Sequence, residues 1–368
     1  MSGKSQFALL RQRRFAPIFW VQFLGAANDN VYKFAFTLLA TYAAARWGGV
    51  DPSLAGFLIG ALFIAPFVLF SATSGQLADK LEKSWFIRRI KDAEIVVMLV
   101  AAAGLVWHQP WLLYTAIFLL GLQSTVFGPV KYSYLPQHLT QDELTGGNGL
   151  VEMGTFVAIL LGTIGGGLLI SYFGDRAAVA TASAVLIIAV LGRLAAQGVP
   201  HSPAADADLT INWNPFTETV RNLRIAQRDA AVFNSILGIS WLWFFGSVFL
   251  TSFTPFARNL GGNETVVTFL LAVFSIGVGI GSLACERLSG RKVEIGLVPF
   301  GSIGMTLFAV DLYFAANAFV PLAPGSGLGP FLEQRGAWRI VLDLGLLALF
   351  SGLYSVPLYS LIQSRAER

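Results

Sequence analysis

Long apolar runs alternate with short polar or charged connections along the whole chain. The apolar runs fall at 16–45, 53–73, 92–108, 111–132, 148–172, 177–197, 229–253, 265–284, 293–316 and 338–361. A run of about 20 residues is long enough to cross a hydrocarbon core of roughly 30 Å. In lipid, every backbone N–H and C=O needs an internal partner, so spans of this kind are helices. The alternating pattern of a membrane β-barrel is absent. The pattern therefore predicts an all-α, multi-pass membrane protein with ten spans. Span one carries a break near Gly25, and its apolar character is interrupted by Asn28, Asp29, Asn30 and Lys33. It reads as a retained first span and not as a cleavable signal peptide.

Charge changes the picture by giving an orientation. One set of connections holds Lys4, Arg11, Arg13, Arg14, Lys80, Lys83, Arg88, Arg89, Lys91, Arg193, Arg221, Arg224, Arg228, Arg287, Arg291, Lys292, Arg365 and Arg368, which is 18 of the 25 basic residues. The opposite connections hold Arg46, Arg176, Arg258, Arg335 and Arg339. The positive-inside rule places the richer set, and the N-terminus, in the cytoplasm. This alternation accounts for the net charge of +4 without a nucleic-acid partner. Composition agrees with the class: 55% of residues are hydrophobic and 12% charged, against about 45–50% and about 25% in soluble domains. The lone Cys285 forms no intrachain disulfide, and no Cys- or His-rich metal site or catalytic constellation is visible. No cofactor is implied.

The longest cytoplasmic connection is 198–228. It opens as a polar, proline-bearing linker, and then Phe216, Val220 and Leu223 recur at helical spacing with Arg221, Arg224 and Arg228 between them. That pattern suits either an amphipathic surface helix or a solvated linker helix. The outer connection 319–336 is too rich in Gly and Pro for regular structure. The chain accordingly divides into a six-helix half (1–197), a linker (198–228) and a second half of about four helices (229–368).

The connection after span two reads Gly75-Gln76-Leu77-Ala78-Asp79-Lys80-Leu81-Glu82-Lys83. The one after span eight reads Gly281-Ser282-Leu283-Ala284-Cys285-Glu286-Arg287. Both place a small residue, an acid and a basic cluster on the same side, each after the second span of a half. This suggests two parallel, pseudo-symmetric halves. The first segment resembles the helix 2–3 motif of the major facilitator superfamily. Gly75, Leu77, Ala78, Asp79 and Lys80 match it, Glu82 stands where a second glycine is usual, and Glu286 comes one place late in the second copy. A narrower resemblance, to the bacterial lysophospholipid transporter group and the transporter half of fused transporter–acyltransferase proteins, is carried by RRFAPIFWVQFLGAANDNVYKFAF and FGPVKYSYLPQHLTQDELTGGNGLVE.

The resemblance implies the major facilitator fold in the bacterial inner membrane, with flipping of lysophospholipid to the cytoplasmic leaflet for re-acylation by an acyltransferase partner. The family it resembles has twelve helices and this chain supplies about ten. SLIQSRAER looks like the connection before an eleventh, so the second half is expected to be either truncated, lacking its last two helices, or unusual. The resemblance assigns Gly75, Asp79, Lys80, Glu286 and Arg287 to a conformational latch. Helices one, four, seven and ten would line the cavity.

Charged residues inside a membrane are costly and face a cavity or each other. Gln22, Asp29 and Lys33 share one face of span one, flanked by Asn28 and Asn30. Lys131 ends a stripe on span four, and Asn148 and Glu152 share one on span five. The candidate substrate-binding residues are thus Gln22, Asp29, Asn30, Lys33, Lys131 and Glu152. An acid suits the ammonium of a zwitterionic head group and a lysine its phosphate. Alternatively, Asp29 and Lys33 neutralise each other as i, i+4 neighbours, and Lys131 and Glu152 latch two helices. Arg339 and Asp343 read as an outer-end pair. Trp241, Phe245 and Tyr354 suit either acyl chains or interface belts. The glycines of spans five and eight point to close packing between those two helices. Two further functions stay open: a major facilitator exporter or proton-coupled carrier of another amphipathic solute, and a non-transporting membrane partner of an acyltransferase.

Overall fold

The computed structural model describes residues 6–47, 50–290 and 292–365. Lys4, Arg291 and Arg368, counted above among the clustered basic residues, lie outside them. Ten long helices are present: α1 (Ala16–Tyr42), α2 (Pro52–Lys80), α3 (Lys83–Trp107), α4 (Pro110–His138), α5 (Gln141–Phe173), α6 (Ala177–Gln197), α7 (Ala230–Asn259), α8 (Glu264–Leu288), α9 (Leu297–Ala318) and α10 (Ala337–Arg365). Their number is that of the apolar runs. Seven stretches are long and apolar enough to cross a membrane, one of them covering both α5 and α6. Helices α1 and α3 fall short of that measure because polar side chains interrupt them: Gln22 to Lys33 in α1, and Lys91, Asp92 and Glu94 in α3.

The helices outrun the apolar runs at their charged ends. Helix α2 continues through Asp79 to Lys80, so the latch segment is a last helical turn and not a loop. Helix α3 starts at Lys83, capped by the Glu82 carboxylate, which accepts from the backbone N–H groups of Ser84 and Trp85. Arg88, Arg89 and Lys91 are therefore helical and not loop residues, against the expectation from charge clustering. The connection 319–336 also holds more structure than its composition predicts. Leu328–Glu333 forms a short helix, and Gly262 bridges to Ser326.

Two compact units are distinguished, residues 1–138 with 161–226, and residues 139–160 with 227–367. Helix α5 contributes to both. The first unit is built on Val31, Phe36, Met98, Leu105 and Leu113, the second on Leu270, Phe274, Ile340 and Leu347. In each, the second helix of the half lies against the fourth, α2 on α4 and α8 on α10. Glycines permit the approach: a Cβ at Gly121 would strike the Phe63 carbonyl, and one at Gly281 the Leu349 carbonyl. The span-five glycines are spent differently from expectation. Gly162 and Gly166 seat α5 on the backbone of α1 at Ala27 and Val31, and only Gly279 of α8 approaches α5, at Met153.

The linker is strapped to the charged end of the first unit. Asp79 O accepts from the N–H groups of Ala205 (2.9 Å) and Asp206 (3.0 Å), and Lys83 N donates to Ser202 O at 2.9 Å. Lys80 Nζ donates to Leu209 O at 2.7 Å. Gln76 and Asn212 exchange two hydrogen bonds, of 3.0 and 2.7 Å. The strap leads into the helix Pro215–Ala226.

Candidate functional site in the first unit

Helix α1 carries its polar side chains on successive turns of an apolar helix, so each must find a partner or remain costly. Asp29 is 8% exposed. Ser124 Oγ of α4 donates to its Oδ2 at 2.7 Å, while Oδ1 is buried with no hydrogen-bond partner. The i, i+4 pairing with Lys33 is not made. Lys33 Nζ instead lies 3.9 Å above the Phe63 ring of α2, where the ring's negative face attracts it. Asp29 and Lys33 thus stand one helical turn apart on the same face without closing on each other. Asn30 turns back to its own helix, donating to Ala26 O at 2.7 Å. Gln22 is buried.

Beneath Asp29 lies a cluster that local sequence does not reveal. Lys91 and Glu94 of α3 form an ion pair with 1% and 0% of their side chains exposed. Glu94 also accepts from Asn28 Nδ2 at 3.0 Å and from Gln123 Nε2 at 3.1 Å. Gln123 precedes Ser124, and Ser124 Oγ lies 3.3 Å from Gln123 Oε1. A continuous polar chain therefore runs Lys91–Glu94–Gln123–Ser124–Asp29. The available signal was Lys91-x-x-Glu94, opposite charges one helical turn apart at the edge of an apolar run.

Lys131, the other candidate cation, stands 4.5 Å from the Tyr132 ring in the first unit. Glu152 is buried in the second unit. One turn before it, the buried Asn148 donates to Gln363 Oε1 at 2.7 Å and accepts from Gln363 Nε2 at 3.1 Å, joining α5 to α10. Arg339 does not pair with Asp343. It reaches Asp311 of α9, at 2.5 and 3.1 Å, and leaves Asp343 Oδ2 buried without a partner. Trp241, Phe245 and Tyr354 do cluster, with ring centroids 5.5 and 6.0 Å from Trp241.

Of the residues expected to form a latch, Gly75 has open space beside it, Asp79 and Lys80 hold the linker as described, Glu286 is buried and Arg287 exposed. His138 does meet a hydroxyl, its Nε2 lying 2.6 Å from Ser202 Oγ. That hydroxyl is fully buried and donates to Pro200 O, so the contact fastens the linker and exposes no nucleophile. An apolar cavity of about 540 Å³ opens against Leu24, Val31, Leu161, Gly165 and Ile188. Leu24, Ala27 and Val31 lie on a different face of α1 from Asp29, so the cavity is separate from the polar site.

The description Major Facilitator Superfamily matches residues 18–368. The chain belongs to that superfamily. It is 29% identical over 351 residues to the lysophospholipid transporter LplT of Enterobacter sp. (strain 638), covering 94% of this chain and 79% of that protein. It is 26% identical over 367 residues to the LplT of Serratia proteamaculans (strain 568), covering 97% and 82%. Among solved structures, the E. coli fucose:proton symporter FucP superposes with a TM-score of 0.68 at 14% identity, over 95% of this chain and 83% of that one. A bacterial homologue of the iron transporter ferroportin, outward-facing, gives 0.62 at 16% identity, over 96% and 84%. These two show the fold alone. The chain is thus a multi-pass membrane transporter of the major facilitator fold, and not an enzyme.

Proposed function

We propose that this transporter moves lysophospholipid across the bacterial inner membrane by alternating access, delivering it to the cytoplasmic leaflet for an acyltransferase to re-acylate. In this reading 1–197 and 229–368 are the two halves, the N-terminus is cytoplasmic, and Asp79 with Glu286 belongs to a latch between states. The observation that carries it is Asp29, buried in α1 with one carboxylate oxygen held by Ser124 and the other unpartnered. An unsatisfied buried carboxylate oxygen is expensive, and a cationic head group supplies what it lacks. In this reading Lys33, which lies over Phe63 and is not locked to Asp29, takes the phosphate. Gln22, Asn30 and Lys131 are the further candidates of the first unit, and Glu152 is the candidate of the second. The similarity to proteins named lysophospholipid transporters supports the substrate class.

Uptake of radiolabelled lysophosphatidylethanolamine into spheroplasts tests the reading. Asp29→Asn abolishes uptake at normal protein level, and adding Lys33→Met does not restore it, since the two are not a closed pair. Recovery in the double variant would reduce Asp29 to a structural partner.

A further inference from the structure

The helix Pro215–Ala226 leaves its apolar stripe uncovered and buries an acid. Its stripe of Phe216, Val220 and Leu223, at i, i+4 and i+7, faces outward, with Phe216 76% exposed. On the opposite side Glu218 is 2% exposed. Glu218 accepts from Asn212 Nδ2 at 3.3 Å and faces Arg221 at 3.4 Å. An amphipathic helix in water buries its apolar stripe and wets its acid. The opposite arrangement is favourable only where the outside is itself apolar. Trp213, just before the helix, is also exposed, and Trp is a residue of membrane interfaces.

Two observations say what covers the stripe. The helix is tied through Asn212 to Gln76, one turn before α2 ends at Lys80, so it sits where a spanning helix leaves the bilayer. Helix α2 itself exposes apolar side chains such as Phe57 and Val68, as a helix in contact with acyl chains would. The linker helix packs against α2. Beside the stripe stands Arg224, which has no ion pair among the described residues, and a turn back Arg221, whose carboxylate partner is buried. Basic residues flanking an interfacial apolar stripe attract anionic head groups.

We propose that Pro215–Ala226 is an interfacial helix that binds the anionic membrane surface, with Phe216, Val220 and Leu223 immersed and Arg221 and Arg224 on the phosphates. Through the Asn212–Gln76 and Lys80–Leu209 contacts, its seat is mechanically joined to the end of α2. The lipid at this surface then bears directly on the segment that carries Asp79.

The test uses the full chain with Cys285 replaced by Ala and a single nitroxide at Phe216→Cys, Val220→Cys, Leu223→Cys or Asn222→Cys, in nanodiscs of phosphatidylcholine with or without phosphatidylglycerol. Collisions with oxygen and with a water-soluble nickel chelate are compared. At 216, 220 and 223 oxygen access rises and nickel access is lost, whereas 222 remains open to nickel. Phosphatidylglycerol deepens the first three, and Arg221→Gln with Arg224→Gln removes that increment. Nickel access at 216 equal to that at 222 would make the helix a solvated linker and overturn the proposal. Shielding of 216 from both reagents would mean a protein partner and overturn it equally. Immersion indifferent to phosphatidylglycerol in the unsubstituted helix would overturn the anionic preference.

Discussion

Lys91 Nζ and Glu94 Oε2 meet at 2.5 Å in the interior of the first unit, and Glu94 is simultaneously held by Asn28 and Gln123. Helices α1, α3 and α4 thus share one buried carboxylate. Gly25 of α1 and Gly192 of α6 leave room for the Lys91 ammonium, since a Cβ would lie 2.9 Å and 3.2 Å from Nζ. Removing one member of such a pair strands a charge, at about 3–5 kcal/mol, whereas replacing both by apolar groups of similar size is near neutral or stabilising. Lys91→Met and Glu94→Gln each lower the thermal unfolding temperature in detergent sharply. The pair Lys91→Met with Glu94→Gln recovers most of the loss, because the introduced glutamine keeps an acceptor for Asn28 and Gln123. Additive losses in the double variant would show that the two do not act as a pair.

The Ser124 hydroxyl is the sole side-chain donor found on Asp29 among the described residues. A neutral hydrogen bond contributes about 1 kcal/mol, and one to a charged group about 1.5–3. Ser124→Ala therefore weakens head-group binding by roughly tenfold, by loosening Asp29, while protein level stays normal. Ser124→Thr keeps the hydroxyl and retains uptake. Equal uptake by the Ala and Thr variants would remove Ser124 from the site.

How much of this was readable along the chain differs by element. Ten apolar runs became ten helices because span length and backbone satisfaction are local demands. Asp29, Lys33 and Gln22 were legible as a face of one helix, because helical period alone places them together. Their partners were not. Ser124 lies 95 positions from Asp29, and the competition between Phe63 and Asp29 for Lys33 is decided by how α2 packs on α1. Charge clustering with Arg88 and Arg89 places Lys91 in a connection. Its burial depends on Glu94, Asn28 and Gln123 together, which no local pattern gathers. Arg339 had two acids in reach, and the choice of Asp311 over Asp343 is set by the neighbouring helix.

Glycine substitutions separate packing from mobility. A Cβ at Gly121 or Gly281 collides with a carbonyl of the facing helix, and overpacking of this kind costs about 1–3 kcal/mol. Gly75 has nothing within 4 Å, so Gly75→Ala gains helix propensity of about 0.5–1 kcal/mol instead. Thermal unfolding of the three Ala variants gives two losses and no loss at Gly75. If Gly75→Ala keeps its stability but loses uptake, the small residue serves movement of the latch; if it keeps both, Gly75 has no part in one.

The orientation is tested with the buried Cys285 as a silent background. Ala323 and Asn222 are both exposed, in the connections 319–336 and 198–228. Ala323→Cys reacts with an impermeant maleimide in intact cells. Asn222→Cys reacts only after lysis. The reverse pattern would place the N-terminus outside.

Glu82 fastens the linker to the start of α3. Its Oε1 accepts from Ser202 N at 2.7 Å and Ser84 N at 3.0 Å, and its Oε2 from Ser84 Oγ at 2.9 Å and Trp85 N at 2.6 Å. Partial burial pushes the carboxyl upward, but these bonds outweigh it, and Glu82 lies below its ordinary value of 4.5. The fold therefore favours the ionised form. The stabilisation is complete above about pH 4.5 and is lost as pH falls through the lower folded value. Hydrogen exchange of residues 201–206, corrected for intrinsic rate, gives the strap's opening. In the wild type, protection holds at pH 6 and drops as the medium is acidified below the ordinary carboxyl range. Glu82→Gln cannot ionise and replaces one acceptor oxygen by a donor, so its protection is low already at pH 6 and flat below it. A wild-type strap that stays protected through pH 3 would show that Asp79 and Lys80 hold the linker without Glu82.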